Sequence, residues 1–313
     1  MLAIETARRQ KVITHLLAWD NRPDNELTLK WIKDGAIGKL REIHNWSHRP
    51  VWPQWTSNPT DTPPVPKGFN WDLWLGCVPH RPYHPNYTHN VFRGWYDFGG
   101  GSIADMGHYS LFPLFVTLGI DRPPVSAEAY GTTTRTIVDQ VCRPVNNNVA
   151  FPHSCMIRFK FPEQKVLPAF DLIWYDGGMK PFTPEELLAE NKSLDGEGMM
   201  FVGDKGKILA GFHGDDPRLI PEKKMRQYGR RSEAGDRRER TRRSDTWAAC
   251  IRNNTESPGS FLLAGTVTET INLGAVALRA GKRVDYDART RKITNLPAAN
   301  KYLTRKYRKG WEL

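Results

Sequence analysis

Six residues, Gly-Gly-Gly-Ser-Ile-Ala at positions 99–104, constrain this chain more than any other stretch. They satisfy G-x-G-x-x-A, the pattern of a phosphate-cradling turn between a buried strand and a helix. A chain built around such a turn would be a doubly wound parallel sheet. The flanking sequence argues otherwise. The residues before the glycines carry Arg93 and Asp97 where the turn requires an apolar strand. An acidic residue is due about 20 positions further on, at the end of a second strand. Asp121 sits instead in the turn Asp-Arg-Pro-Pro. The glycines therefore read as a helix start and a place of close backbone approach, not as a cofactor loop.

The helix that follows has a polar stripe. From Ser102 to Leu118, a rotation of about 100° per residue puts Asp105, His108, Tyr109 and Phe112 in one arc. Ile103, Leu111, Leu114 and Leu118 fall opposite. Pro113 has no N–H for the carbonyl of Tyr109, which predicts a kink just after the polar cluster. Carboxylate, imidazole and phenol together supply a base and groups to orient it. A satisfied, purely structural Asp–His pair is the competing reading. The other constellations carry less. His80, His84 and His89 include an H-x-x-x-H spacing, but Pro82 and Pro85 forbid the helix that would make it a metal site, so no metal is predicted. No G-x-S-x-G and no C-x-x-C occurs, and Cys77, Cys142, Cys155 and Cys250 read as free thiols.

The net charge of +11 invites a nucleic-acid reading until it is located. Residues 222–245 hold ten basic and five acidic residues with almost no apolar ones, the composition of a solvated loop. Tyr228 is the one aromatic there, whereas RNA-binding surfaces interleave cations with several stacking rings. No nucleic-acid partner is predicted. No continuous apolar run of about 18 residues is found, so no membrane span is expected. The start has no basic segment followed by a long apolar one, which points to a cytoplasmic protein.

Along the chain, 2–10 reads as a helix and 12–19 as a short strand. Residues 24–38 form an amphipathic helix, and 39–52 a strand with His44, Trp46 and His48 on one face. Residues 50–98 are so rich in proline and tryptophan that they predict a long ordered loop. Stretches 125–137, 153–162, 168–178 and 198–212 alternate as strands of an antiparallel sheet, with a hairpin at Gly203–Lys207. Residues 262–281 close the chain as a helix with Val267, Ile271 and Leu278 on one side.

Several long motifs then carry a resemblance. They are Asn-Trp-Asp-Leu-Trp-Leu-Gly (70–76), Arg-Pro-Tyr-His-Pro-Asn-Tyr (81–87), the stretch from Phe92 to His108, Trp-Tyr-Asp-Gly-Gly (174–178) and the tail from Leu296. The chain resembles the Gfo/Idh/MocA oxidoreductases of the bacterial type with an extended C-terminal domain. The resemblance implies an α/β (α+β) fold: a truncated Rossmann remnant over 1–48, then a mostly antiparallel open sheet packed on helices over 49–313. It implies NAD or NADP as the family's cofactor. The family's glycine loop and lysine motif have no counterpart in these residues, so no cofactor-binding residue is assigned and tight binding by this chain alone is not expected.

The family's D-x-G-x-H is matched by Asp105, Gly107 and, at the histidine position, Tyr109, with His108 one place early. Either His108 or Tyr109 would take a hydroxyl proton while Asp105 orients it. Arg93, Trp95 and Tyr83 would hold a sugar or cyclitol, with Asp97 and His84 beside them. The open sheet would join copies into a homo-oligomer. Two other roles stand beside this one: a non-redox carbohydrate binder, and a structural or assembly subunit.

Overall fold

The computed structural model describes residues 2–228 and 243–312. Its helices are α1 (Leu2–Gln10), α2 (Pro23–Lys33), α3 (Trp71–Leu75), α4 (Gly101–Leu118), α5 (Glu185–Leu188), α6 (Glu222–Tyr228), α7 (Arg243–Asn253) and α8 (Phe261–Ala280). The strands are β1 (Leu40–Trp46), β2 (Ser126–Gly131), β3 (Arg135–Val138), β4 (Val141–Pro144), β5 (Cys155–Phe161), β6 (Phe170–Tyr175), β7 (Gly198–Gly203), β8 (Lys207–Ala210), β9 (Arg218–Ile220), β10 (Val284–Asp287) and β11 (Lys292–Ile293).

Nine strands form one sheet in the order β11-β10-β2-β5-β6-β1-β7-β8-β9, and β3 and β4 pair as a separate ribbon. Every neighbouring pair in the large sheet is antiparallel except β1 beside β6. This is the mixed, mostly antiparallel sheet on helices that the sequence predicts. Period-two alternation sets the two faces. In β5, Cys155, Ile157, Phe159 and Phe161 point into the core, while Arg158 and Lys160 point away. Leu111, Leu114 and Phe115 of α4 and Val267, Ile271 and Val276 of α8 join the same core.

Two expectations change, at residues 12–19 and at α8. Residues 12–19 are not a strand. Their backbone groups are met by α7 and the turn before α8: Leu16 N–H donates to the Gly259 carbonyl at 2.7 Å, and the Ile13 carbonyl accepts from Trp247 Nε1 at 2.9 Å. The large sheet joins residues from both sides of the expected boundary at residue 48, since β1 lies between β6 and β7. α4 runs as one helix from Gly101 to Leu118 with Pro113 inside it. Finally, α8 is long and apolar enough to cross a membrane by length and composition alone, since scattered Thr, Glu and Asn do not lower its mean hydropathy of 1.5 much. Its apolar side is occupied by packing on β2, β5 and α4.

The basic stretch falls largely outside the described residues. Its N-terminal flank is helical, with Met225 of α6 buried. Residues 50–98 form the predicted ordered loop and hold a small core of their own. Trp71, Leu75, Val78, Tyr87 and Trp95 pack together there, with Trp55, Phe69 and Tyr83 against them.

Candidate functional site

The outer face of α4, near its start, is where the sequence-predicted polar residues stand. Gly101 opens the helix at φ +71°, a backbone state that costs other residues, and a Cβ there would lie 2.8 Å from the Phe151 ring. Four residues on, Asp105 accepts a hydrogen bond from Arg93 Nε at 2.7 Å. Arg93 reaches it from the 3₁₀ segment His89–Gly94, where it also donates to the Asn90 carbonyl and lies over the Phe92 ring at 4.7 Å. Both side chains keep partial contact with solvent, at 33% for Arg93 and 17% for Asp105. Tyr109, one turn further along the same face, is 37% exposed.

His108 does not join this pair. Its Nδ1 lies 2.9 Å from the Ala104 carbonyl, which can only accept, so Nδ1 carries the proton. Burial holds its pKa below the usual histidine value, favouring the neutral ring. Nε2 then accepts from the Thr268 hydroxyl at 3.3 Å. Thr268 is a wall residue of a cavity of about 1040 Å³ between α1, α8 and the C-terminal tail. The expected convergence of Asp105, His108 and Arg93 is therefore found for two of the three. On the helical wheel His108 is displaced toward α8 by about 60° from Asp105, which is enough to change its neighbours.

The other predicted binding residues serve the loop. Trp95 is buried, stacks on Trp55 at 4.5 Å, and donates from Nε1 to the Asn86 carbonyl at 2.7 Å. Asp97 is paired with Arg81, which lies over the Tyr87 and Phe98 rings. Tyr83 packs edge-on to Trp71 and Phe69. His84 Nδ1 accepts from the Asn86 backbone, and Nε2 lies 3.3 Å from Asp61. These contacts hold the loop over the start of α4.

Two features escaped the sequence reading. On the far side of Tyr109, His213 Nδ1 approaches the Tyr109 carbonyl at 3.4 Å, and Arg22 bridges Asp20 and Asp215 at 2.6 and 3.3 Å. Beneath the start of α4, Asp176 is 2% exposed and accepts from Cys155 N at 2.6 Å, Trp174 Nε1 at 3.0 Å and Cys155 Sγ at 3.2 Å. Burial raises its carboxyl to about 6 against those donors, and burial likewise pushes the Cys155 thiol up. The open face of the sheet has its own polar group: His44 Nε2 donates to Glu42 at 2.8 Å, and Nδ1 lies 3.0 Å from the Tyr175 hydroxyl.

The glycine triplet at 99–101 does not fit a dinucleotide's pyrophosphate. A Cβ on Gly99 would sit 2.4 Å from the Arg93 carbonyl and one on Gly101 would meet Phe151, so these glycines admit protein, not phosphate. A 3₁₀ segment, not a strand, precedes them. No group of three or more His, Cys, Asp or Glu suited to a metal occurs among the described residues.

Residues 31–155 match the model described as the oxidoreductase family, C-terminal alpha/beta domain, of Gfo/Idh/MocA type. No curated protein matches the chain. Among solved structures, it is similar to an aldose–aldose oxidoreductase from Caulobacter crescentus complexed with glycerol. The identity is 17%, the TM-score 0.41, and the match covers 83% of this chain and 60% of that one. It is also similar to the WlbA dehydrogenase from Bordetella pertussis in complex with NADH and UDP-GlcNAcA, at 13% identity, TM-score 0.49, and coverage of 91% and 67%. An NAD binding oxidoreductase from Klebsiella pneumoniae gives 13%, 0.47, and coverage of 90% and 68%. The chain thus spans about 60–68% of the length of these structures. Residues 31–155 of this chain thus match the C-terminal alpha/beta domain of the Gfo/Idh/MocA oxidoreductase family.

Proposed function

We propose that this chain supplies the substrate side of a nicotinamide-dependent oxidoreductase acting on a hydroxyl of a sugar or cyclitol. The observation that carries the reading is the Arg93–Asp105 pair, partly open to solvent, at the start of the polar face of α4. A guanidinium and a carboxylate side by side donate to and accept from neighbouring hydroxyls of a polyol, a fit that apolar ligands do not use. The family match over residues 31–155 supports an oxidoreductase. The glycine triplet offers no pyrophosphate cradle, so the assignment to this chain is confined to the hydroxyl compound.

Two groups stand as acceptors of the hydroxyl proton. His108 holds a lone pair at Nε2 that is reached through the Thr268 hydroxyl, which would take the substrate proton as it gives its own to the ring. Tyr109 faces outward directly. Separate His108→Ala and Tyr109→Phe variants distinguish them. We also read the open sheet face as a self-association surface. It holds a groove of about 740 Å³ lined by Met156, Met200 and Val202, with the fully exposed Phe182 at its edge.

The test is calorimetric titration of the chain with a panel of aldoses and cyclitols, and with NAD+ and NADP+. The expected result is binding of at least one polyol, lost in Arg93→Ala, without micromolar affinity for either dinucleotide. Absence of polyol binding across the panel, or binding untouched by Arg93→Ala, overturns the reading. A non-redox carbohydrate binder would behave identically in these titrations and is separated by an assay of hydride transfer from the bound polyol to NAD+ or NADP+.

A further inference from the structure

Pro113 lies inside α4 and has no N–H, so the intrahelical partner of the Tyr109 carbonyl is missing from the helix itself. That carbonyl belongs to the turn whose outer side chains are Asp105 and Tyr109. An imidazole stands at the place of the missing donor. His213 Nδ1 is 3.4 Å from the Tyr109 oxygen, and a carbonyl can only accept, so Nδ1 is the donor. The bond comes from the connection between β8 and β9, far away in sequence.

The connection is built to hold the ring there. Gly211 N–H donates to the Asp215 carbonyl at 2.8 Å, and Gly214 N–H to the Gly211 carbonyl at 2.9 Å, closing a tight turn. Gly214 takes φ +83° and is pressed on α2, so that a Cβ would come within 2.2 Å of Asn25 Oδ1. Asp216 N–H is held by Asp24 at 2.8 Å, and Asp215 by Arg22. Phe212, next to the histidine, is in the core and accepts from Asn45 Nδ2 at 3.1 Å through its carbonyl. The loop is thus fixed to α2 and to the sheet, and from it His213 reaches the Tyr109 backbone. Burial and the nearby Arg22 charge lower the pKa of His213, which keeps the ring neutral.

We propose that His213 is a positioning residue of the α4 site: its Nδ1–H replaces the helix hydrogen bond removed by Pro113 and so fixes the turn that carries Asp105 and Tyr109. The claim about the backbone stands on geometry alone; its consequence for ligand binding rests on the function proposed above.

The test uses the full chain and four variants: His213→Ala, His213→Asn, Pro113→Ala, and His213→Ala combined with Pro113→Ala. Asparagine puts its amide nitrogen where Nδ1 stands, on the same Cγ, so it retains the donor. Hydrogen exchange over 105–113 is expected to rise about tenfold in His213→Ala, the scale of one lost hydrogen bond. It should stay near the parent value in His213→Asn. In the Pro113→Ala background, where the alanine N–H serves the carbonyl, the alanine substitution at 213 should raise exchange much less. Affinity for a polyol identified by calorimetry should follow the same order. Unchanged exchange in His213→Ala, an equal rise in the Pro113→Ala background, or failure of His213→Asn to rescue would each overturn the proposal. If His213→Ala does not fold, His213→Asn against His213→Gln decides it, because glutamine places its donor one bond too far. Normal exchange behaviour without polyol binding would refute the proposed function and leave this one standing.

Discussion

Replacing Asp176 by asparagine should remove a pH dependence from the stability of this fold. The carboxyl is buried at the end of β6, and folding raises its pKa from 3.8 to about 6. A group raised in this way contributes most to stability below about 3.8, and that contribution is lost as the pH rises through about 6. With each pKa unit worth about 1.36 kcal/mol, the full swing is about 3 kcal/mol, and the part lying between pH 5 and 7.5 is about 1.4 kcal/mol. Asparagine does not titrate, so the variant's stability relative to the parent should improve by that amount across the interval. Its baseline is set by a separate effect. The amide must place an N–H toward Cys155 or Trp174, both donors, which costs about 1–3 kcal/mol at every pH. Urea unfolding followed by tryptophan fluorescence at several pH values separates the two, because Trp174 is itself a donor to Asp176. Parallel stability curves for parent and variant would refute the reasoning, whatever their vertical offset.

Gly101→Ala should cost about 2–4 kcal/mol, adding the left-handed backbone penalty to the clash with Phe151, and urea titration reads it. Arg308 donates to the Gly76 and Asp72 carbonyls and to the Asp72 carboxylate, holding the C-terminal tail on α3. Arg308→Lys cannot span three acceptors and should expose residues 303–312 to limited proteolysis at least as readily as Arg308→Ala does. Trp95→Ala should cost about 3–5 kcal/mol, as a buried loop tryptophan does, while leaving polyol affinity per folded molecule close to the parent's.

The parts of this molecule that were legible in the sequence are those with a period. α2, α4 and α8 repeat their apolar residues at helical spacing, and β5 alternates with little ambiguity. The Gly203–Lys207 hairpin is marked by its glycines. Residues 12–19 have strand composition but find the turn before α8 in place of a ladder, and composition does not reveal partners. The residues ahead of the glycine triplet set it apart from a phosphate loop in the sequence, and a 3₁₀ segment occupies that place in the structure. Tyr83, Trp95 and Asp97 make loop contacts that the sequence did not reveal, because an aromatic loop core and a stacking platform have the same composition. His108 was grouped with Asp105 by the helical wheel, which does not say which neighbouring helix covers which edge. His213 and Asp176 carried no signal in isolation, since their roles depend on a carbonyl freed by Pro113 and on donors from two strands.

The central claim is that a polyol binds on the outer face of α4 between Arg93 and Asp105. Nuclear magnetic resonance with 15N-labelled chain tests it most directly, by titrating a polyol that binds in calorimetry and mapping the perturbed resonances. The account predicts the largest shifts at Arg93 Nε and at the backbone of residues 101–109, abolished by Asp105→Asn. Shifts concentrated around Glu42, His44 and Tyr175 on the open sheet, or on α1 and α8 around the large cavity, would contradict it.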